Sequence, residues 1–138
     1  MGINFATEMV RQNLPNEVKM WRAVINNALG DVTINSSDRK SSLYKFAVHD
    51  WIIENSDDFQ QVCYYAELDP ENIRRQYMRA IKLKKILFTD RQLKWKKYND
   101  NYQKLKTIKC REERKKLRKI VEYLRQLVFK STNKIIEI

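Results

Sequence analysis

The stretch 57–81, DDFQQVCYYAELDPENIRRQYMRAI, limits what this chain can build more than any other part of it. In its first half, Phe59, Val62, Cys63 and Ala66 recur at helical spacing. Asp57 as N-cap, with Gln60 three residues on, would close a capping box there. Glu67-Leu68-Asp69-Pro70 then interrupts the period, because a residue before proline is biased out of the helical region while proline suits the first position of a new helix. Asp69 is the natural N-cap of that helix. The second helix carries Ile73, Tyr77, Ala80 and Ile81 on one face and turns Asn72, Arg75, Gln76 and Arg79 to the other. The expectation is two short helices joined by a tight turn, the second with a basic, hydrogen-bonding outer face.

Cys63, Glu67, Leu68 and Ile73 supply a small buried residue, a turn residue, a buried aliphatic after the turn and another five residues later. That spacing resembles the helix-turn-helix family, whose second helix enters the major groove with its early residues at base edges. The resemblance covers roughly a fifth of the chain and implies Asn72, Arg75, Gln76 and Arg79 as readers, with Arg74 nearer the phosphates. Two positions depart from the family. Glu67 stands where glycine is usual, which makes a left-handed backbone costlier, and Gln76 stands where an aliphatic is preferred. The same spacing also suits an ordinary helical hairpin.

Two glycines and two prolines in 138 residues favour helices throughout. No apolar run reaches the length of a membrane span, and the first residues lack the layout of a signal peptide, so a soluble, cytoplasmic chain without membrane partners is expected. Ala6 argues against myristoylation after Gly2. Cys63 and Cys110 have no metal-ligand spacing and read as reduced thiols, one packed and one exposed. His49 and Asp50 are neighbours in a helix and do not face one another, and no Gly-rich phosphate loop, HExxH or CxxC occurs. The expectation is a protein that is not an enzyme and uses no metal or cofactor.

Charge is unevenly placed. Residues 1–88 hold 12 Lys/Arg against 11 Asp/Glu, net +1, and residues 89–138 hold 16 against 6, net +10. The span 74–85 has six basic residues and no acidic one, which leaves −5 for the rest of the first 88. Such a block is the electrostatic footprint of a nucleic-acid binder, and it also fits a solvated helical surface or attraction to acidic lipid or protein.

Residues 1–13 suit a short helix with Phe5, Met9 and Val10 inward. After Pro15, a helix with Val18, Trp21, Val24, Ile25, Ala28 and Leu29 inward should stop at Gly30, and DVTINSS follows as a loop. Ser37 or Asp38 caps the next helix, which presents Leu43, Phe46, Ala47, Trp51 and Ile52 or Ile53. Trp21, Phe46, Trp51 and Phe59 are expected to share a core. Thr89 with Gln92 makes a second capping box, with Phe88 packed on Leu93. The helix beyond interleaves Leu93, Trp95, Tyr98, Tyr102, Leu105 and Ile108 with lysines, a pattern that either docks a helix or stacks on the bases of single strands. Leu117, Ile120, Leu124 and Leu127 repeat in heptad fashion, with Val121 and Val128 beside them. That run either closes an antiparallel hairpin or pairs with its copy in a homodimer. Ser131-Thr132-Asn133 breaks the helix before Ile135-Ile136.

Together these features predict an all-α protein: a multi-helix domain over 1–88 that holds the helix-turn-helix-like unit, and a basic two-helix extension over 89–138. The expected function is duplex DNA binding by a small transcriptional regulator. Lys82, Lys84, Lys85, Lys94, Lys96 and Lys97 are expected at phosphates. The alternatives are an RNA-binding protein and an adaptor whose basic helices dock an acidic protein partner.

Overall fold

Local capping chemistry sets most helix starts. In a computed structural model that describes residues 14–137, the order is α1 (Asn16–Asp31), α2 (Arg39–Ile53), α3 (Asp57–Tyr65), α4 (Pro70–Lys82), β1 (Phe88–Thr89), α5 (Asp90–Thr107), α6 (Arg111–Lys130) and β2 (Ile135–Ile136). The fold is all-α, with one two-stranded ladder among the described residues. The helix expected over 1–13, with Phe5, Met9 and Val10, lies outside those residues. Asp38 accepts the Ser41 amide at the start of α2, and Asp69 accepts the Glu71 amide with Pro70 at the first helical position of α4. At α5 the capping box is complete: the Gln92 amide donates to Thr89 Oγ1 at 3.2 Å and the Thr89 amide to Gln92 Oε1 at 3.0 Å.

Two boundaries differ from expectation. Ser56, not Asp57, caps α3 by accepting the Phe59 amide at 3.1 Å, and Gln60 instead donates to the Asn55 carbonyl. Asp57 is already helical, where its charge favours the positive end of the helix. Gly30 lies inside α1 with no left-handed φ, and its carbonyl accepts from the Thr33 amide and hydroxyl after the helix has ended.

Helix C-termini are closed without glycine. Asn55, Glu67 and Lys84 take the left-handed backbone after α2, α3 and α4, with φ of 49°, 54° and 58°. After α3 the Leu68 amide reaches Cys63 O and the Glu67 amide reaches Tyr64 O; after α4, Lys85 and Lys84 repeat the pattern on Ala80 and Ile81. These are Schellman turns, which satisfy carbonyls that a helix end otherwise leaves open. Arginines from elsewhere in the chain close the remainder. Arg22 donates to Ala66 O and Glu67 O, Arg74 to Ile52 O and Ile53 O, and Arg114 to Leu105 O and Ile108 O.

The described residues form two compact units, one from 14–34 and Tyr44–Leu87, the other from Asn35–Leu43 and 88–137; α2 runs across the division. The first unit buries Val18, Ile25 and Leu29 of α1, Phe46 and Ile52 of α2, Phe59, Val62 and Cys63 of α3, and Ile73, Tyr77 and Ala80 of α4. Phe46 and Phe59 are core as expected, whereas Trp21 and Trp51 are only partly covered. Trp21 rests on Tyr65, 5.2 Å between ring centroids, and Trp51 meets Phe59 edge-on while its indole N–H donates to Asp58. The inward face of α1 runs through Arg22 and leaves Val24 exposed, because the Arg22 guanidinium reaches the end of α3. The inward face of α2 comprises Ser42, Lys45, Phe46, His49 and Ile52, with Ala47 outside. Its polar members are hydrogen-bonded: Ser42 Oγ to Asp38 O, Lys45 Nζ to Ile34 O and Leu87 O, and His49 Nδ1 lies 2.6 Å from the Tyr77 hydroxyl.

In the second unit α5 and α6 are antiparallel neighbours, joined by residues 108–110. Trp95 near the start of α5 meets Phe129 near the end of α6, and Arg91 donates to Ser131 O at 2.6 Å. The heptad run of α6 therefore folds back within the chain, with Val121 and Val128 buried and Ile120 exposed. Ile135 and Ile136 pair antiparallel with Thr89 and Phe88. The segment 35–43 joins this unit through long-range hydrogen bonds: Gln92 Nε2 donates to Ser36 O at 2.9 Å and Trp95 Nε1 to Ser37 O at 3.0 Å.

Candidate nucleic-acid interface

Helix α4 has two unlike faces because its apolar residues recur every three or four positions. Ile73, Tyr77 and Ala80 are buried, so Arg75 and Arg79 are exposed, with Asn72 and Gln76 partly exposed beside them. Residues 72, 75, 76, 79 and 82 fall within one side of the helix and extend over about 15 Å at 1.5 Å per residue. Gln76 Nε2 donates to Asn72 Oδ1 at 3.2 Å, which holds the two amides side by side. Lys82, Lys84 and Lys85 are exposed at the helix end and in the turn beyond it.

The scaffold under this face is fixed at both ends. Cys63, Leu68 and Ile73, the positions that define the turn in the sequence, are all buried. Burial raises the Cys63 thiol pKa to about 12, aided by the Asp69 charge, so the thiol stays protonated and acts as a small apolar residue. Tyr77 is shifted upward as well, first by burial and then by the Asp50 charge.

Arg74 does not join the exposed set. Its guanidinium donates to the last carbonyls of α2 and to Glu71 Oε1 at 3.1 Å, so the side chain expected at phosphates instead fastens α4 to α2. Sequence spacing places an arginine on a helix face but does not reveal a carbonyl pair some twenty residues away.

Among the expected phosphate ligands of the second unit, Lys94 faces Asp90 at 3.9 Å and Lys96 faces Asp100 at 3.1 Å, both one helical turn apart, and Lys97 is exposed. Such pairs near a helix surface contribute little to stability. The described part of this unit holds 18 Lys/Arg against 7 Asp/Glu, while that of the first unit holds nine against nine.

A buried lysine was not evident from sequence. Lys45 is fully covered, donates to Ile34 O and Leu87 O, and has its pKa lowered to about 8 by burial. Those two carbonyls end the two stretches of the first unit. Among the described residues no three His, Cys, Asp or Glu side chains converge as a metal would require, and no helix is long and apolar enough to cross a membrane. No protein-family model, curated protein or solved structure matches this chain.

Proposed function

We propose that this chain binds duplex DNA as a small transcriptional regulator and that the outer face of α4 reads base edges in the major groove. The observation that carries this reading is the stripe of exposed Arg75 and Arg79 with partly exposed Asn72 and Gln76 on a helix whose other face is buried. A major groove about 12 Å wide admits a helix, and its donors and acceptors match these side chains: arginine pairs with guanine O6 and N7, and asparagine or glutamine with adenine N6 and N7. Lys82, Lys84 and Lys85 then meet phosphates, which position the helix without reading sequence. Within the first unit the six basic residues of 74–85 are balanced by acidic ones elsewhere, so its positive charge is concentrated at α4. That distribution favours a localised docking face over a diffusely solvated one. The positive second unit adds attraction that is blind to sequence.

Selection from a pool of random duplexes tests the reading. The chain should enrich a defined motif, and Arg75→Ala or Arg79→Ala should relax preference at individual positions of it. A pool that stays random after repeated rounds would overturn sequence readout by α4.

A further inference from the structure

Four aromatic rings form an unbroken line on the second unit. Phe129 lies 6.2 Å from Trp95, Trp95 5.9 Å from Tyr98, and Tyr98 6.1 Å from Tyr102, centroid to centroid. None of the four is buried, and Phe129 is 67 % exposed. Gln92 is the buried residue of α5, and the three rings on that helix are half-buried, so each keeps part of its surface open. Large rings that gather on a surface and stay partly open mark binding surfaces. Cations accompany the row. Arg39 lies over Tyr98 at 5.7 Å and Lys106 over Tyr102 at 4.9 Å. Arg118 and Arg125 are exposed on the same side of α6 as Phe129, eleven and four residues before it.

We infer that this row is a stacking platform for single-stranded nucleic acid, a site separate from the α4 face and independent of its reading. Single-strand binders combine a positive track for the backbone with aromatic rings on which successive bases stack. The two steps through Trp95 are edge-on, at 78° and 77°, so bases would stack on the outer faces of the rings and not between them. Tyr98 and Tyr102, only 21° from parallel, offer two successive bases similarly oriented surfaces. Trp95 is fixed by its indole hydrogen bond to Ser37 O, so little rotamer freedom is lost when a base stacks on it. The net positive charge of the unit complements the phosphates and disfavours an apolar or cationic occupant.

Fluorescence anisotropy with short labelled oligo-dT and oligo-rU, alongside a mixed-sequence duplex, tests the inference on the full chain. Phe129→Ala and Tyr102→Ala should each weaken single-strand binding about 5- to 150-fold, the equivalent of one stacked base, and change duplex binding less than twofold. Phe129→Leu, which keeps apolar bulk but no π-face, should bind as poorly as the alanine variant, while Tyr102→Phe should bind like the parent. Tyr123→Ala, an exposed ring on α6 outside the row, should have no effect. Equal losses on dT and rU mean that the platform takes either strand; losses on rU alone assign it to RNA. Unchanged single-strand affinity in both alanine variants, full binding by Phe129→Leu, or an equal loss on duplex would each overturn the platform. Arg75→Ala separates the two sites, since single-strand affinity should survive it even if the α4 reading fails.

Discussion

Lys45 gives the fold a pH dependence that its sequence position does not announce. Lysine is almost never fully buried without partners, and its partners here, Ile34 O and Leu87 O, are 11 and 42 residues away. Folding lowers its pKa from 10.5 to about 8, so between those values the unfolded chain holds a proton that the folded chain has released. Stability from this group therefore rises with pH across that window and is lost as pH falls through about 8. Cys63 acts in the opposite sense. Its pKa rises from 9.0 to about 12 on folding, so its contribution is complete below 9.0 and is lost as pH climbs towards 12, and Tyr77 has the same sign above 10.0. Urea unfolding should find maximal stability near pH 9, and Lys45→Met should flatten the rise from pH 8 to 9 while leaving the alkaline decline. A wild-type stability that falls steadily from pH 8 upward would contradict the buried, charge-disfavouring environment of Lys45.

At the scale of elements, what could be read from sequence was whatever depends on neighbours in the chain. Asp69-Pro70 and Thr89 with Gln92 act where they stand, because an N-cap needs only an amide two or three residues on. Helix ends were less legible, since Arg22, Arg74 and Arg114 close α3, α2 and α5 from a distance or from a following helix. Polar residues hid the inward face of α2, where Ser42, Lys45 and His49 alternate with Phe46 and Ile52. Of the candidate site, the α4 stripe followed from helical period alone, whereas the removal of Arg74 from it and the meeting of Phe129 with Trp95 required the fold. The turn before α4 offers a direct check. Glu67 holds φ of 54° in a Schellman turn, a conformation that costs a side chain about 1–2 kcal/mol and glycine almost nothing. Glu67→Gly should stabilise the protein by up to about 1 kcal/mol once the added freedom of the unfolded chain is counted, read as a higher denaturation midpoint at unchanged slope. A loss of stability would show that the Glu67 side chain, and not the turn backbone alone, supports the hairpin.

At the scale of the whole molecule, charge is divided between a first unit that is neutral in sum and a second that is strongly basic. Under the proposed function, sequence-blind attraction and sequence readout fall to different residues, and substitutions that each remove one positive charge can separate them. The decisive measurement compares Arg75→Ala and Arg79→Ala with Lys97→Ala, each titrated against the selected duplex and a random one over a range of salt. All three side chains are exposed, so large stability losses are not expected, and circular dichroism confirms the helices. The account predicts that each arginine change costs about 1–3 kcal/mol on the selected site and much less on random DNA. Lys97→Ala should weaken both duplexes alike and lower the salt slope by about one. Equal weakening of selected and random DNA by all three substitutions would contradict readout by α4.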